Sequence, residues 1–560
     1  MTRAAGETMN PKRRWSAAVT VAAAVGVSVV AVAVSAATDT ILAAVPGVSA
    51  LARVPAGTGA QALGAHALGA DAPGAPWAVV IRPDAIHIGK AGSRPSTTAQ
   101  CEQTLDVACY GPGQLRRAYN LWPLYDKGVT GKGQTIVIVE SYGSPTIEHD
   151  LAVFDAAYRL SAPPALTVIQ PAGAVAPYKA TSNRVGWAGE TNLDVEYAHA
   201  MAPGASILLV ETPTLENEGT SGFPQIVTAE EYVIDHHLGG VISQSFSATE
   251  QTFPSRRSLL DLRAAYIEAA EPANDVTVLA AAGDFGATDL EDNATTYYDF
   301  PVTSWPDSDP LVTGIGGTGL HLDSAGNRIS PDTVWNDTHD AGATGAFGSP
   351  LAGGGGKSII FARPAYQNGV AKVVGTHRGV PDISMSADCG GAVEVYQSFA
   401  GQPPGWYELC GTSEATPLFA GVVALADQYA GHPLGLINRA LYAMSATHAP
   451  GLVDITKGNN TVTFSQGRKV LTVKGFPALP GYDLASGVGT VNGAEFVPEL
   501  VAAVAASSPA RPLAERPGLV PRTTAASLTT GSASTSVNPA FFSIAAHADI
   551  ETGRSWNRSR

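Results

Sequence analysis

Charge is scarce in this sequence. Asp, Glu, Lys and Arg make up 15% of 560 residues, with Lys+Arg 34 against Asp+Glu 49 and a formal net charge of −15. A chain built to bind nucleic acid needs a basic face, so the balance argues against that class of function. Cysteine is sparse too: there are four, with no Cys-x-x-Cys pair and no histidine cluster beside them, which argues against a zinc site. Beyond the first forty residues no segment reads as a membrane span. Glycine (60) and proline (39) are plentiful without a collagen period, which indicates many turns and flexible ends. Low charge with a negative balance also suits a protein that works in acid, where carboxylates are partly protonated.

The length suits one catalytic domain of several hundred residues, placed at 100–505, with tails. Lys12, Arg13 and Arg14 precede an uncharged run from Trp15 to Ala37, and Ser35, Ala36 and Ala37 offer a small-residue cleavage site. Residues 1–37 therefore read as an export signal. Its length leaves an uncleaved N-terminal membrane anchor as the alternative. Either way the rest of the chain is expected outside the cytoplasm, secreted or held at the outer face of the cell membrane. An even number of cysteines in an exported chain favours disulfides; of the three connectivities, the short loops Cys101 to Cys109 and Cys389 to Cys410 are expected. Residues 38–99, rich in Ala, Gly and Pro, read as a linker or short pro-segment with a strand near Trp77 to Ile81. Residues 506–560 read as a Ser/Thr/Ala-rich tail.

Between these ends, short β-branched runs alternate with helical stretches, the pattern of an α/β fold with a doubly wound, mostly parallel sheet and helices on both faces. Expected strands are Thr135–Val139, Ser206–Val210, Gly240–Ser243 and Val276–Ala280. Ligands in such sheets sit beyond the carboxyl ends of the strands, so the polar residues there are the candidates for chemistry. Gly353-Gly-Gly-Gly-Lys-Ser358 looks like the end of a phosphate loop, but Leu351 stands where the leading glycine belongs and no strand runs into it. It reads as a glycine loop packed close to other backbone.

Three segments carry more. In Gly186-Trp-Ala-Gly-Glu-Thr-Asn-Leu-Asp194, Glu190 and Asp194 stand four apart on one helix face, beside core positions Leu193, Tyr197, Ala200 and Met201. Two carboxylates so placed share a proton where water is excluded; on a solvated face they would be an ordinary acidic turn. In Cys410-Gly-Thr-Ser-Glu-Ala-Thr-Pro417, Gly411 permits a tight turn and Ser413 opens a helix with its hydroxyl at the rim, as a nucleophile or as a plain cap. In Ala280-Ala-Ala-Gly-Asp-Phe-Gly286, Asp284 ends a strand; it either caps a turn or, buried and protonated, donates to an oxyanion.

Together these segments resemble the sedolisin family of serine-carboxyl peptidases, which share the subtilisin fold with a glutamate in place of its histidine. Glu190 and Asp194 match the family's Glu-x-x-x-Asp, Gly411-Thr-Ser413 with Thr416-Pro417 its nucleophile motif, and Asp284 between Gly283 and Gly286 its oxyanion aspartate. The match runs from about Tyr110 to about Gly493, with support from Tyr142-Gly-Ser-Pro-Thr-Ile147, Gly314-Ile-Gly-Gly-Thr318 and Val380-Pro-Asp-Ile383.

The resemblance implies a secreted, monomeric, acid-active endopeptidase acting on peptides or proteins, with Ser413 as nucleophile, Glu190 as base, Asp194 tuning it and Asp284 at the oxyanion. It also implies one structural calcium held by the carboxylates of Asp454 and Asp483 and the backbone oxygens of Ile455, Leu479 and Gly481, with Leu479 departing from the family's glycine. Glu140, at the end of the first strand, resembles an acid that extends the carboxylate network in some relatives and is expected to tune the pair. Two further departures are that only a short Ala/Gly/Pro-rich stretch stands where the family has a sizeable prodomain and that Phe246 replaces a family Trp near Glu140, which removes an aromatic hydrogen-bond donor. Two other readings compete: a Ser/His/Asp hydrolase using His199, His236 or His237, and a catalytically dead relative serving as a cell-surface binding module.

Overall fold

The computed structural model describes residues 85–339 and 351–507. The export segment, the Trp77–Ile81 strand and the tail beyond Ser507 lie outside the described residues.

The Thr135 run forms the strand Thr135–Ser141, which pairs in parallel with Ser206–Thr212 on one side and Val241–Gln244 on the other. The eight-stranded sheet continues through Thr277–Ala281 to Thr313–Gly319. There both Ile383–Ser386, in parallel, and the short antiparallel Thr333–Val334 attach; Leu166–Ile169 closes the far edge. A central parallel strand is covered on both faces, which is why its sequence is continuously apolar. Successive side chains alternate between two cores: Ile136, Ile138, Ile207 and Leu209 enter one, and Val137, Val139, Leu208 and Val210 the other.

The first of these faces carries the helices Ser182–Met201 and Thr412–Ala430. Their close approach depends on Gly421, where an added Cβ would run into the Cβ of Met201. The other face carries Phe223–Asp235 and Ala264–Ala269. A second, four-stranded sheet has the order Ala85–Lys90, Gly405–Leu409, Gly391–Gln397, Ala108–Tyr110. The strand Ala85–Lys90 thus falls inside the stretch read as linker, and the helix Gly493–Ser507 overlaps the start of the expected tail. Both boundaries shift because these segments find partners distant in sequence, which local composition does not reveal.

Both expected disulfides are present, Cys101 to Cys109 and Cys389 to Cys410. The glycine loop at 353–356 packs on backbone as expected: the Gly354 N–H donates to the Gly283 carbonyl at 2.8 Å, and a Cβ at Gly354 would clash with the Ala282 carbonyl. It buttresses the turn that carries Asp284. Among the described residues no helix is long and apolar enough to cross a membrane.

Candidate active site

The helix Ser182–Met201 is buried on all sides from Trp187 onward, so Glu190 and Asp194 lie in its interior and have no exposed surface. The solvated acidic turn is thereby excluded. Glu140 joins them. Strand periodicity puts residues 136, 138 and 140 on the face that carries both long helices, and Glu140 at the strand's end is fully buried beneath them.

Three carboxyls in one dry space cannot all ionise. Burial, and then the charges of Asp194 and Glu190, push Glu140 well above the carboxylate range. Burial and the Asp194 charge do the same to Glu190, with the hydroxyls of Ser413 and Ser245 opposing. Burial raises Asp194 against the hydroxyl of Ser245 and the proton that Glu140 offers. The one well-formed hydrogen bond at the three groups runs from Ser245 Oγ to Asp194 Oδ2, at 2.8 Å. Both oxygens of Glu140 and of Glu190, Asp194 Oδ1 and the Ser413 hydroxyl have no partner of good geometry among the described residues. Catalytic contacts are commonly long until substrate arrives.

Ser413 is the second residue of the helix Thr412–Ala430 and is buried, not at a rim as its place after a glycine turn suggested. Gly411 precedes it at φ 116°, a conformation that favours glycine. Two consequences follow from helix geometry. The Ser413 N–H belongs to the first turn, whose donors have no intrahelical acceptor. Pro417, four residues on, lacks the N–H that would bond the Ser413 carbonyl, and Ser245 Oγ lies 3.4 Å from that carbonyl instead. Ser245 therefore lies between the Ser413 backbone and Asp194.

Asp284 reaches the same turn from the end of the strand Thr277–Ala281. Its Oδ1 accepts both the Thr412 N–H and the Thr412 hydroxyl, each at 2.7 Å. Thr412 Oγ1 in turn accepts the Gly283 N–H at 3.1 Å. Oδ2 faces Gly411, where a Cβ would come within 2.7 Å of it. Burial raises this carboxyl to about 6, with the two Thr412 bonds opposing and the charge of Asp289 adding to the rise. Asp289 carries no motif signal; it is buried beside Gly283 and is itself pushed up to about 6 by burial.

Among the described residues no histidine makes a hydrogen bond to Ser413. His199 is held by the Ser161 carbonyl at 3.0 Å and by Asp155 at 3.2 Å, while His236 stacks on Tyr232. His237 takes a left-handed turn conformation after that helix. Phe246 packs edge-on against Trp187, whose buried indole N–H has no partner among the described residues. Trp187, three positions before Glu190, thus puts an aromatic N–H beside Phe246, but among the described residues that N–H donates to none of the carboxyls.

The expected calcium ligands surround one turn. The Gly481 N–H donates to Asp454 Oδ2 and the Leu479 N–H to Asp483 Oδ2, both at 2.9 Å, and no ion pair neutralises either carboxylate among the described residues. Oxygen donors without a countercation suit a hard cation. A third acid near two sulfurs, Glu408 beside Cys101 and Cys109, is no such site, because the sulfurs are bonded to each other.

A family model described as the subtilase family matches residues 173–468. Kumamolisin of Bacillus sp. (strain MN-32) is 33% identical over 415 residues, 73% of this chain and 66% of the relative. Sedolisin of Pseudomonas sp. (strain 101) is 30% identical over 274 residues, 49% of this chain and 44% of the relative. The chain thus spans between about two fifths and two thirds of the length of these curated relatives. The solved structure of Pseudomonas sedolisin, a serine-carboxyl proteinase complexed with two molecules of pseudo-iodotyrostatin, superposes with a TM-score of 0.58 at 25% identity, covering 72% of this chain and 99% of that one.

Proposed function

The chain belongs to the subtilase family, in its sedolisin branch, and on that premise we propose that it is a serine-carboxyl endopeptidase that hydrolyses peptides or proteins in acid. The observation that carries this reading is the buried group of Glu190, Asp194 and Ser413 with no histidine held against it among the described residues.

Ser413 Oγ attacks the peptide carbonyl while ionised Glu190 takes its proton. Glu140, protonated, holds Asp194, and the pair sets how readily Glu190 gives up and regains a proton. The carbonyl oxygen, now an oxyanion, is received by the Ser413 N–H and by the proton on Asp284 Oδ2, whose other oxygen Thr412 occupies. Glu190 then protonates the leaving amine, and a water, deprotonated by Glu190, releases the acyl group from Ser413. Neutral Asp284 and a carboxylate base both favour acid.

The turn at Asp454 and Asp483, with the backbone oxygens of Ile455, Leu479 and Gly481, would hold one calcium ion as a staple on the C-terminal part of the domain. The export signal supports action outside the cell. Active-site titration with a peptide aldehyde tests the reading: wild type should be trapped stoichiometrically, and Ser413→Ala should bind no aldehyde covalently. Glu190→Gln should turn over almost nothing. Full turnover in Glu190→Gln, with loss on replacing His199, would restore the histidine mechanism, and a well-folded wild type that never reacts would favour the binding module.

A further inference from the structure

Residues 85–96, which read as linker, form the outer strand of the four-stranded sheet and its continuation. Ala85 pairs with Leu409, Ile86 with Glu408, His87 with Tyr407 and Lys90 with Gly405. The Ala91 N–H donates to the Pro404 carbonyl at 3.0 Å, and the Trp406 indole donates to the Ser93 carbonyl at 3.1 Å. Without this segment, Gly405–Leu409 would be a bare edge strand that leads directly into Cys410, Gly411 and the Ser413 helix.

Beneath the segment lies a second acidic pair. Glu394 and Glu408 stand directly opposite each other on neighbouring antiparallel strands, both buried. Glu394 accepts the Ser96 N–H at 2.5 Å and the Tyr158 hydroxyl at 2.6 Å, and both Glu408 oxygens lack a partner among the described residues. The titratable groups around the pair are Tyr158 from the helix Ile147–Tyr158, Glu196 and Tyr197 from the Glu190 helix, and His87, which packs on Tyr407. No Lys or Arg pairs with either carboxyl among the described residues. Like charges directly opposite on a sheet and out of water are strongly unfavourable.

We propose that Ala85–Ser96 is a retained strap that positions the Ser413 turn, and that Glu394 and Glu408 lock it when both are protonated and loosen it when they ionise. Burial raises Glu394 to about 7, and burial followed by the Glu394 charge raises Glu408 well above the carboxylate range. For a carboxyl raised in this way the fold favours the neutral form. Its stabilisation is complete below the ordinary value and is lost as pH climbs through about 7. The strap is tight where an acid peptidase works and slack near neutrality.

Hydrogen exchange on the full-length protein, corrected for intrinsic rates, tests this at pH 5 and pH 8. In wild type the amides of Ala85–Lys90 should lose about tenfold or more in protection at pH 8, while the Thr412–Ala430 helix stays protected. Glu394→Gln/Glu408→Gln should hold the strand at both pH values and carry kcat further into the neutral range with KM little changed. Equal wild-type protection at the two pH values, or the same loss in the double variant, overturns the proposal. If the double variant does not fold, Glu394→Gln alone is read in the same way, and the wild-type comparison still decides. Only the kcat arm rests on Ser413 being the nucleophile. If no peptide is cleaved at any pH, the peptidase reading fails while the exchange result stands.

Discussion

Replacing Asp284 with Asn removes a titration while leaving a donor, and so separates the two things this side chain does. Asp284 is 5% exposed as a residue, and burial raises its carboxyl to about 6 from an ordinary value of 3.8. Because the folded value is the higher one, the neutral form is favoured by folding. The stabilisation is complete below pH 3.8 and is lost as pH rises to about 6. A shift of roughly two units corresponds to about 3 kcal/mol, a penalty wild type carries at neutral pH and a neutral amide does not. The donor follows the same curve, with about one tenth of molecules neutral at pH 7.

Asp284→Asn should therefore melt higher than wild type at pH 7 to 8 and show no such gain at pH 4, where both side chains are neutral. Its kcat/KM should fall less steeply above pH 6. Asp284→Ala, which leaves the Thr412 N–H and hydroxyl without their acceptor and removes the proposed oxyanion donor, should lose about 10²- to 10³-fold in kcat below pH 6, where the wild-type carboxyl is neutral, and less above it. Melting curves and kcat/KM on one peptide from pH 3 to 8 measure both effects. A stability difference between wild type and Asp284→Asn that does not change with pH, together with an unmoved alkaline limb, would refute the neutral-donor argument.

Other consequences are checked independently. Glu140→Gln removes the acidic proton that supports Asp194, so the acid limb of kcat should move while KM changes little; a pH profile altered only in amplitude would reduce Glu140 to packing. Opening Cys389–Cys410 by Cys389→Ser/Cys410→Ser frees a 21-residue span next to the Ser413 turn and should cost about 3 kcal/mol of stability, read from denaturant melts under non-reducing conditions. Chelator should lower the melting temperature, and added calcium should restore it in a concentration-dependent way; an unchanged melt and no metal on elemental assay would remove the calcium site.

Much of the chemistry was legible because it is written in local spacing. Gly411, Ser413 and Pro417 fall within one turn and the start of its helix, Glu190 and Asp194 within one helical turn, and Thr135–Val139 announces a strand covered on both faces. What those patterns lack is any statement of where water is. Whether Glu190 and Asp194 form a solvated turn or a proton-sharing pair was decided when the helix was enclosed between the sheet and the Ser413 helix, with Gly421 letting the two helices close. Glu140 joined the pair through strand parity and sheet order, Ser245 through the end of a different strand, and Thr412 took up Asp284 from 128 residues away. The strap at Ala85–Lys90 pairs with residues more than 300 positions downstream, so its composition alone read as linker. Residue type and short-range spacing set which groups could react. Burial and long-range pairing, which depend on the whole chain's packing, set which of them carry a charge.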